Sequence, residues 1–337
     1  MKFGETFTEY LHGEQERFLV KCSHVEYKRL KKVLKSCRSC RALQDSSDNE
    51  GTHAEGNDAV APLCQCESCS LCDQMFFSEL MKEASEISGF FSSRVRRLLH
   101  LDLSRGLQKY VLQLSHCFRN DQHHMDQEVR MLINYVIMNA IAIQKILKKY
   151  DKVHSSINGR NFKTKLRAEH IELLQSPWLI ELGAFYINSN GFDGGDSPEY
   201  FHQFSCDFTS TQPVLTLMLP NSMKLEYNLT CAICLDTLFN PYALSCGHLF
   251  CKACACSAAS VMIFEGLKAA VPESKCPICR EVGVYCNSVH MMELDLLLKN
   301  RCKEYWKERL HEERVEMVKQ SKEYWDSQSQ LFLGFRT

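Results

Sequence analysis

Seven cysteines and one histidine in the C-terminal half of the sequence are spaced as metal ligands. They follow the order Cys-x2-Cys-x11-Cys-x-His-x2-Cys-x2-Cys-x21-Cys-x2-Cys and are Cys231, Cys234, Cys246, His248, Cys251, Cys254, Cys276 and Cys279. Zinc prefers four nitrogen or sulfur ligands at the corners of a tetrahedron, and a CxxC pair supplies two of them from one tight turn. Eight ligands make two closed sites. The sequence therefore predicts two structural zinc ions in a module too small to fold on its own core.

The order of three cysteines, one histidine and four cysteines resembles that of a RING finger; a PHD finger differs because its histidine comes one ligand later. The resemblance implies that the first and third ligand pairs share one zinc ion and that the second and fourth pairs share the other. The implied sets are Cys231, Cys234, Cys251 and Cys254, and then Cys246, His248, Cys276 and Cys279. Cys256 competes with Cys254 in the segment CKACAC, but the CxxC spacing favours Cys254.

Residues next to these ligands also resemble those of RING ubiquitin ligases. The resemblance implies that Ile233, in the first CxxC pair, and Pro277, in the last, form an apolar surface for a ubiquitin-conjugating enzyme (E2). Arg280 directly follows the last ligand, where active RING domains use a basic residue to bond both ubiquitin and the E2. An arginine suits this role because its guanidinium group forks to two carbonyls. The alternatives are simple turn packing for the two apolar residues and a solvated charge for Arg280.

One departure from the family concerns the segment GLKAAVPESK before the seventh ligand. Many RING domains carry a tryptophan there, and this segment has none. The departure implies either a modest affinity for the E2 or replacement of the tryptophan by Leu267 or Val271.

A RING domain holds its thiolates on zinc and so has no nucleophile of its own. The resemblance implies an enzyme, a RING-type E3 ubiquitin ligase that binds a ubiquitin-charged E2. It would accelerate attack by a target lysine by holding the thioester in a reactive geometry. The rival interpretation is a binding module, a non-catalytic phosphate-signalling scaffold with a structural RING.

The N-terminal half of the sequence is predicted to be all-α. Apolar residues recur at helical spacing, without proline, in residues 1–35 and from Met75 to about Lys152, which indicates a bundle of long helices. Residues 42–63 between them are polar and are expected to be disordered. Pro177 and the segment NSNGFDGGDSP interrupt the helical pattern, after which PVLTLML and MKLEYNL predict short strands.

Four lysines in the stretch KILKKYDK share one side of the predicted helix, named here the lysine face. Lys145, Lys148, Lys149 and Lys152 are spaced i, i+3, i+4, i+7 and fall within an arc of about 100°. Apolar residues occupy the opposite side: Ile143, Ile146, Leu147 and Tyr150. A second basic cluster, EYKRLKKVLK, lies near the N-terminus. If the two helices are neighbours, their charges would attract a multiply phosphorylated ligand; the alternative is a solvated surface.

The segments MKFG, YKRLKK and KILKKYDK together resemble an SPX domain. SPX domains are helical bundles that bind inositol polyphosphates and pyrophosphates and report cellular phosphate status. The resemblance implies a binding site made of Lys2, Tyr27, Lys31, Lys145, Lys148, Lys149 and Lys152. The lysines would supply charge, and the Tyr27 hydroxyl would donate a hydrogen bond to a phosphate.

An SPX domain followed by a RING resembles the plant SPX–RING ubiquitin ligases, the nitrogen-limitation-adaptation group, over nearly the whole chain. The predicted fold class is multi-domain, with an all-α SPX bundle, a small zinc-bound α+β C3HC4 RING finger and a C-terminal helical tail. The predicted boundaries are 1–165 for the SPX domain with a Cys-rich insert at 37–72, 166–222 for a linker with short strands, 223–285 for the RING and 286–337 for the tail. The resemblance implies that partners are an E2, ubiquitin and plasma-membrane phosphate transporters, with a role in phosphate and nitrate homeostasis.

The insert and the tail each leave two interpretations open. The insert carries Cys37 and Cys40 and then Cys64, Cys66, Cys69 and Cys72. A third zinc ion could be held there, for example by Cys37 with three of the last four cysteines; the alternative is a flexible insert with free thiols. The tail from Met292 is either a solvated helix or a dimerisation element that makes a homodimer. Its apolar seam is thin because Glu, Lys and Arg dominate its middle.

Composition bounds the setting in which the protein works. The 337 residues carry a formal net charge of −1, and no aromatic residues interleave with the lysines, so nucleic-acid binding is not expected. The segment MKFGETFTEY lacks the apolar region of a signal peptide, and LINYVIMNAIAI is too short to span a bilayer. Nineteen cysteines, many in CxxC pairs, favour metal sites over disulfides. We expect a soluble intracellular protein in the cytoplasm or at the plasma membrane, with the nucleus as an alternative.

Overall fold

The computed structural model divides the chain into two compact units. One comprises residues 1–92 and 134–174, and the other comprises residues 93–133 and 175–337. The structure describes residues 3–12, 22–34, 70–99, 119–154, 156–190, 204–208, 212–220 and 223–334.

The first unit is a helical bundle with apolar residues turned inward. It contains α1 (Phe3–Leu11), α2 (residues 27–34), the beginning of α3 (Ser70–Leu98), the end of α4 (Arg119–His154) and α5 (Asn158–Ala168). Buried positions on α3 recur at helical spacing, and Phe76, the first of them, stacks on Tyr150 of α4 with ring centroids 4.9 Å apart. The predicted helical character of the N-terminal half is therefore confirmed for the described residues.

The start of α5 lies directly against the end of α4. A Cβ atom on Gly159 would lie 2.7 Å from the carbonyl oxygen of Leu147 and 2.9 Å from a carboxylate oxygen of Asp151, so this approach requires glycine. The Gly159 N–H donates to Asp151 Oδ1 at 2.7 Å, which satisfies a donor that the helix itself leaves free. Asp151, the acidic residue within KILKKYDK, is thus hydrogen-bonded to the start of α5.

Helix α6 (Pro177–Asn190) lies in the segment for which we predicted a linker with short strands. That prediction is incomplete because Pro177 does not break a helix; it begins one, at a position where its missing N–H costs nothing and its fixed φ is already helical. The two predicted strands are present as β2 (Val214–Met218) and β3 (Lys224–Asn228). They form one antiparallel sheet of order β1-β2-β3 with β1 (Phe204–Asp207), a strand that was not predicted. Phe204 packs against Gly183 of α6, where a Cβ atom would lie 2.6 Å from the ring.

The region that contains the predicted ligands combines short strands with helices. Strands β4 (Pro241–Ala243), β5 (Leu249–Cys251) and β6 (Val289–His290) form an antiparallel sheet of order β5-β4-β6. Helix α7 (Lys252–Ala258) and a 3-10 turn (Leu267–Ala269) follow β5. Helices α8 (Met292–Arg301) and α9 (Lys303–Gly334) form the helical tail.

A buried carboxyl group joins α6 to the start of α8. Glu181 is fully buried and accepts the backbone N–H groups of Glu293 at 2.8 Å and Leu294 at 3.2 Å. Burial, together with the neighbouring Glu293 carboxylate, raises the pKa of Glu181 to about 8. Asn188 of α6 adds a hydrogen bond from Nδ2 to Glu293 Oε2 at 2.9 Å. Helix α6 is therefore an integral part of the second unit.

One helical segment among the described residues, His124–His154, is long and apolar enough to cross a membrane by length and composition alone. Its apolar window is 67% buried inside the protein. Such burial is what the core helix of a bundle shows, so this segment is weak evidence for a membrane span.

Candidate functional site

The first and last CxxC pairs adopt the same turn. In each, the N–H of the residue after the second cysteine donates to the carbonyl of the first cysteine: Leu235 to Cys231 and Arg280 to Cys276, both at 2.9 Å. The same two residues have a positive φ, 64° for Leu235 and 62° for Arg280. A backbone that turns this sharply brings the two sulfur atoms of a CxxC pair within reach of one ion.

The eight predicted ligands come together in the two sets that the RING resemblance implies. Within each set all ligand atoms lie within 4.8 Å of one another, in the groups Cys231, Cys234, Cys251 and Cys254, and Cys246, His248, Cys276 and Cys279. Cys256, the alternative to Cys254, is fully buried and belongs to neither set.

Distances within the two sets fit zinc. Four sulfur atoms about 2.3 Å from a common ion lie about 3.8 Å apart at tetrahedral angles, and a sulfur and a nitrogen lie about 3.6 Å apart. The Sγ atoms of Cys234 and Cys251 are 3.9 Å apart. His248 Nδ1 is 3.4 Å from Cys246 Sγ and 3.6 Å from Cys276 Sγ, so Nδ1 is the nitrogen turned towards the ion position.

Two of the ligand thiols lie in surroundings that disfavour their charged form. Burial raises the pKa of the Cys246 and Cys279 thiols, which opposes the thiolate that zinc requires. The Phe239 N–H donates to Cys251 Sγ at 3.2 Å, as expected for a sulfur that carries negative charge. Both sets thus suit closed, four-ligand zinc sites whose role is to hold the module together.

The three side chains predicted to contact an E2 lie at the surface. Ile233 is 39% exposed, and Pro277 and Arg280 are also exposed. Leu267 is 3% exposed because its 3-10 turn packs against α7, so the prediction that Leu267 could replace the missing tryptophan is wrong. Val271 is 58% exposed and is available for that role.

Sequence reasoning missed three further exposed apolar residues of the RING. Leu235 is 76% exposed, Ile278 is 48% exposed and Val282 is 56% exposed. A signal existed for Ile278, because it occupies in the last CxxC pair the place that Ile233 occupies in the first. Leu235 adjoins the first ligand set, whereas Ile278 and Val282 adjoin the second.

Helix α9 braces one side of the RING. The Tyr305 hydroxyl donates to the carbonyl of Thr237 at 2.6 Å, and Gln320 Oε1 accepts the N–H of Ile263 at 3.0 Å. Further contacts join Trp306 to Phe239, Glu313 to Asn240 and Tyr324 to Phe264. Fifteen residues, about four turns of helix, separate Tyr305 from Gln320. The helix therefore holds the loops before β4 and after α7 in place.

The lysine face lies at the surface of the first unit, as its spacing predicts. Lys145, Lys148 and Lys152 are exposed and Lys149 is partly exposed, whereas the apolar residues on the opposite side of α4 are buried. Among the described residues, no carboxylate forms an ion pair with Lys148 or Lys152. The Asp151 carboxylate between them accepts the Gly159 N–H instead.

Phe3 joins the two basic clusters of the first unit. Its ring packs edge to face with that of Tyr27, with centroids 5.3 Å apart, and Lys145 Nζ lies 4.2 Å from its ring centroid. Tyr27 and Lys31 are one helical turn apart on α2. Tyr27 of α2 and Lys145 of α4 thereby contact the same aromatic ring.

The segment that leads into α2 is held by polar groups from both long helices. The buried Asn139 of α4 accepts the N–H of Val25 at 2.9 Å, and Tyr135 donates its hydroxyl hydrogen to the carbonyl of Ser23. From α3, Glu83 accepts the N–H of Glu26 at 3.2 Å. These bonds fix the start of α2 and with it the position of Tyr27.

Comparison with known proteins identifies the family. The family model for the zinc finger, C3HC4 type (RING finger), matches residues 231–279. A protein from rice (Oryza sativa subsp. indica), named probable E3 ubiquitin-protein ligase BAH1-like 1, is 62% identical over 339 residues, which is 99% of this chain and 100% of the relative. From Arabidopsis thaliana, a probable E3 ubiquitin-protein ligase BAH1-like is 61% identical and E3 ubiquitin-protein ligase NLA is 43% identical, each over 99% of this chain and 100% of its own length.

The chain belongs to the BAH1-like and NLA family of plant E3 ubiquitin-protein ligases. The predicted membership in the nitrogen-limitation-adaptation group and the predicted enzyme class are thus confirmed. As a member of this family, the protein is a RING-type E3 ubiquitin ligase, with an E2 and ubiquitin as its partners. The rival interpretation, a non-catalytic scaffold with a structural RING, is not supported.

Some predictions for this protein fall on residues outside the described ranges. Lys2 is one of them, and so are Cys37, Cys64, Cys66 and Cys69 of the proposed third zinc site. Cys72 lies in α3, but its side chain is not described. The third zinc ion remains a prediction.

Proposed function

We propose that Arg280 positions the thioester between the E2 and ubiquitin, while Ile233 and Pro277 hold the E2. Exposed Val271 and Ile278 extend this apolar contact, and Val271 takes the place of the tryptophan that the segment lacks. The observation that carries the proposal is the turn at Arg280. The backbone N–H of Arg280 donates a hydrogen bond to the carbonyl oxygen of Cys276 at 2.9 Å, while the Arg280 side chain is exposed. A backbone anchored this way presents the guanidinium group from a fixed point.

Zinc supplies folding energy and holds the turns in place when it is bound. The chain's own residues then act by positioning alone. The target lysine, as a neutral amine, attacks the carbonyl carbon at the C-terminus of ubiquitin. An amide bond forms as the bond to the E2 sulfur breaks, the E2 cysteine leaves as a thiolate, and the amine nitrogen gives up one proton to solvent. Bonds from Arg280 to both proteins would restrict the thioester to conformations in which this attack can occur.

A discharge assay tests this role of Arg280. Ubiquitin is transferred from a charged E2 to free lysine, with full-length protein present. Arg280→Ala is expected to slow discharge about tenfold or more, and Arg280→Lys is expected to fall between, because an ammonium group cannot fork to two carbonyls. Lys268→Ala removes an exposed charge from the same RING and is expected to leave the rate unchanged. Discharge that is unaffected by Arg280→Ala would contradict the proposal.

We infer further that the first unit is an SPX domain that binds inositol polyphosphates or pyrophosphates. The observation that carries this inference is the placement of Phe3 between Tyr27 and Lys145, because it brings the two basic clusters to one side of the unit. The described residues of the site are Tyr27, Lys31, Lys145, Lys148, Lys149 and Lys152. Lys2, outside the described residues, is assigned to it by the SPX resemblance alone. Phosphate groups would relieve the mutual repulsion of the lysines, and charge-assisted bonds to phosphate are strong.

Calorimetry with inositol hexakisphosphate and the full-length protein tests the site. Binding is expected to weaken steeply with salt. Lys148→Ala/Lys149→Ala is expected to lower the affinity about tenfold or more, since each lost charged hydrogen bond costs about 1.5–3 kcal/mol. Lys165→Ala is the matched control, because Lys165 is exposed on α5 and pairs with Glu169 at 3.7 Å. An affinity that the double substitution leaves unchanged would remove the lysine face from the site.

The resemblance to the nitrogen-limitation-adaptation group supports plasma-membrane phosphate transporters as substrates and a role in phosphate and nitrate homeostasis. Action on such substrates would occur on the cytoplasmic side of that membrane. The direct test is ubiquitination of a candidate transporter with and without an inositol pyrophosphate. If the ubiquitination rate is the same with and without the inositol pyrophosphate, the ligand does not regulate the ligase activity.

A further inference from the structure

The side of helix α9 that faces away from the RING carries a row of apolar side chains, named here the outer row. It consists of Val315, Val318 and Trp325, which are 55%, 65% and 63% exposed. At 100° per residue they fall within about 80° of one another. Tyr305 and Gln320, which bind the RING, lie on the opposite side of the helix. The row is therefore not part of the contact between α9 and the RING.

We propose that the outer row is the seam through which α9 of one chain pairs with α9 of a second copy, in antiparallel orientation. With Lys322, the row has the spacing 3, 4, 3 in sequence, which is that of the a and d positions of a coiled coil. A valine pair forms the centre of the seam, where Val315 of one chain packs against Val318 of the other in both directions.

Charges beside the seam favour the antiparallel orientation. With Val315 opposite Val318, Glu312 of each chain, which also pairs with Arg309 of its own helix at 2.8 Å, lies across from Lys319 of the other, which makes two attractive pairs. In a parallel pair Lys322 would meet Lys322 within the seam and Arg314 would flank Lys319 of the second copy, and these repulsions outweigh the attraction of Lys307 for Glu312. Residues at these flanking positions set partner choice and orientation in coiled coils.

The length of α9 suits this register. Pairing Val315 with Val318 places residue 303 opposite residue 330, so that about 28 residues overlap over about 42 Å. Nearly all of α9 (Lys303–Gly334) is then used. The side of the helix that contacts the RING faces away from the seam, so pairing leaves those contacts and the zinc ligands undisturbed.

Sedimentation of the zinc-loaded full-length protein tests the pairing. A concentration-dependent monomer–dimer equilibrium is expected at up to about 200 μM, the range in which a seam this thin should associate. Val315→Lys/Val318→Lys should abolish the dimer without loss of helix, because lysine is a good helix former. Lys268→Glu alters an exposed charge outside α9 and should leave the equilibrium unchanged. A protein that stays monomeric throughout this range, or a dimer that survives the double substitution, would overturn the proposal.

Charge reversal tests the orientation. Glu312→Lys and Lys319→Glu should each weaken the dimer about fivefold or more, since each places two like-charged pairs across the seam. The combined Glu312→Lys/Lys319→Glu should restore association, because both cross-pairs become attractive again. In a parallel dimer Lys319→Glu would instead strengthen association by pairing with Arg314. Tighter association of that single variant, or no recovery in the double variant, would refute the antiparallel seam.

Discussion

The helical first unit and the RING are stabilised by different means. The first unit buries an apolar core in which large side chains such as Phe76 and Tyr150 stack. The RING relies on eight ligands, and burial raises the pKa of two of its thiols, Cys246 and Cys279, which opposes the thiolate form that zinc binds. Stability of the RING is thus conditional on a metal ion, whereas the first unit depends on packing and buried hydrogen bonds. One chain can therefore lose its catalytic module while it keeps its proposed sensor.

Removal of zinc should separate the two regions most strongly. Chelation, or Cys276→Ser, is expected to abolish ubiquitin transfer and to remove protection from amide hydrogen exchange across residues 231–290. Amides in the buried parts of α3 and α4 that belong to the first unit should stay protected. Hydrogen exchange measured by mass spectrometry reads both regions in one experiment.

The matched control for zinc removal is Cys286→Ser. Cys286 is exposed and lies outside both ligand sets, so its replacement should change neither zinc content nor transfer. Loss of protection in the first unit upon chelation would show that its stability is not independent of the metal.

Replacement of Asn139 should destabilise the first unit and leave the RING unchanged. Asn139→Ala leaves the buried N–H of Val25 without its acceptor, which is expected to lower the unfolding free energy of the first unit by about 1–3 kcal/mol. Urea unfolding followed by a probe in that unit measures the change, and zinc content should be unaffected. Asn161→Ala replaces an exposed asparagine on α5 and should lie within about 0.5 kcal/mol of the unaltered protein.

Replacement of Glu181 should change the pH dependence of the second unit's stability. Its folded-state pKa of about 8 exceeds the ordinary value of 4.5, so between these values the folded state holds a proton that the unfolded state has released. Stability therefore falls as pH rises through this window. Glu181→Gln cannot ionise, and its unfolding free energy relative to the unaltered protein should rise from pH 5 to pH 8.

Glu226→Gln provides the control for that comparison, because Glu226 is a half-exposed residue on β3. The difference in unfolding free energy between Glu226→Gln and the unaltered protein should not change between pH 5 and pH 8. A difference for Glu181→Gln that is equally flat would mean that Glu181 is already ionised in the folded protein. All of these measurements should be made at one fixed concentration of free zinc.

Features set by local spacing were predictable from the sequence, and features set by distant contacts were not. The two ligand sets and the exposure of the lysine face follow from CxxC turns and helical periodicity. Helix α6 was not predicted because a proline usually indicates the end of a helix. Only the structure shows that Pro177 occupies the first helical position, where proline is favourable. The burial of Leu267 depends on α7, and the bridging position of Phe3 between Tyr27 and Lys145 depends on α1, α2 and α4 together. No short stretch of sequence carries that information.

The positive φ of Arg280 implies a trade-off between stability and activity. A left-handed backbone costs a residue with a Cβ atom about 1 kcal/mol or more, and glycine avoids most of that cost. Arg280→Gly should therefore relax the turn and make the RING slightly harder to unfold, while it removes the side chain proposed to restrain the thioester. Leu235 has the same backbone in the first turn, so Leu235→Gly should relax that turn without touching the guanidinium group. If Arg280→Gly is harder to unfold but transfers ubiquitin more slowly, then Arg280 contributes to activity at a cost in stability.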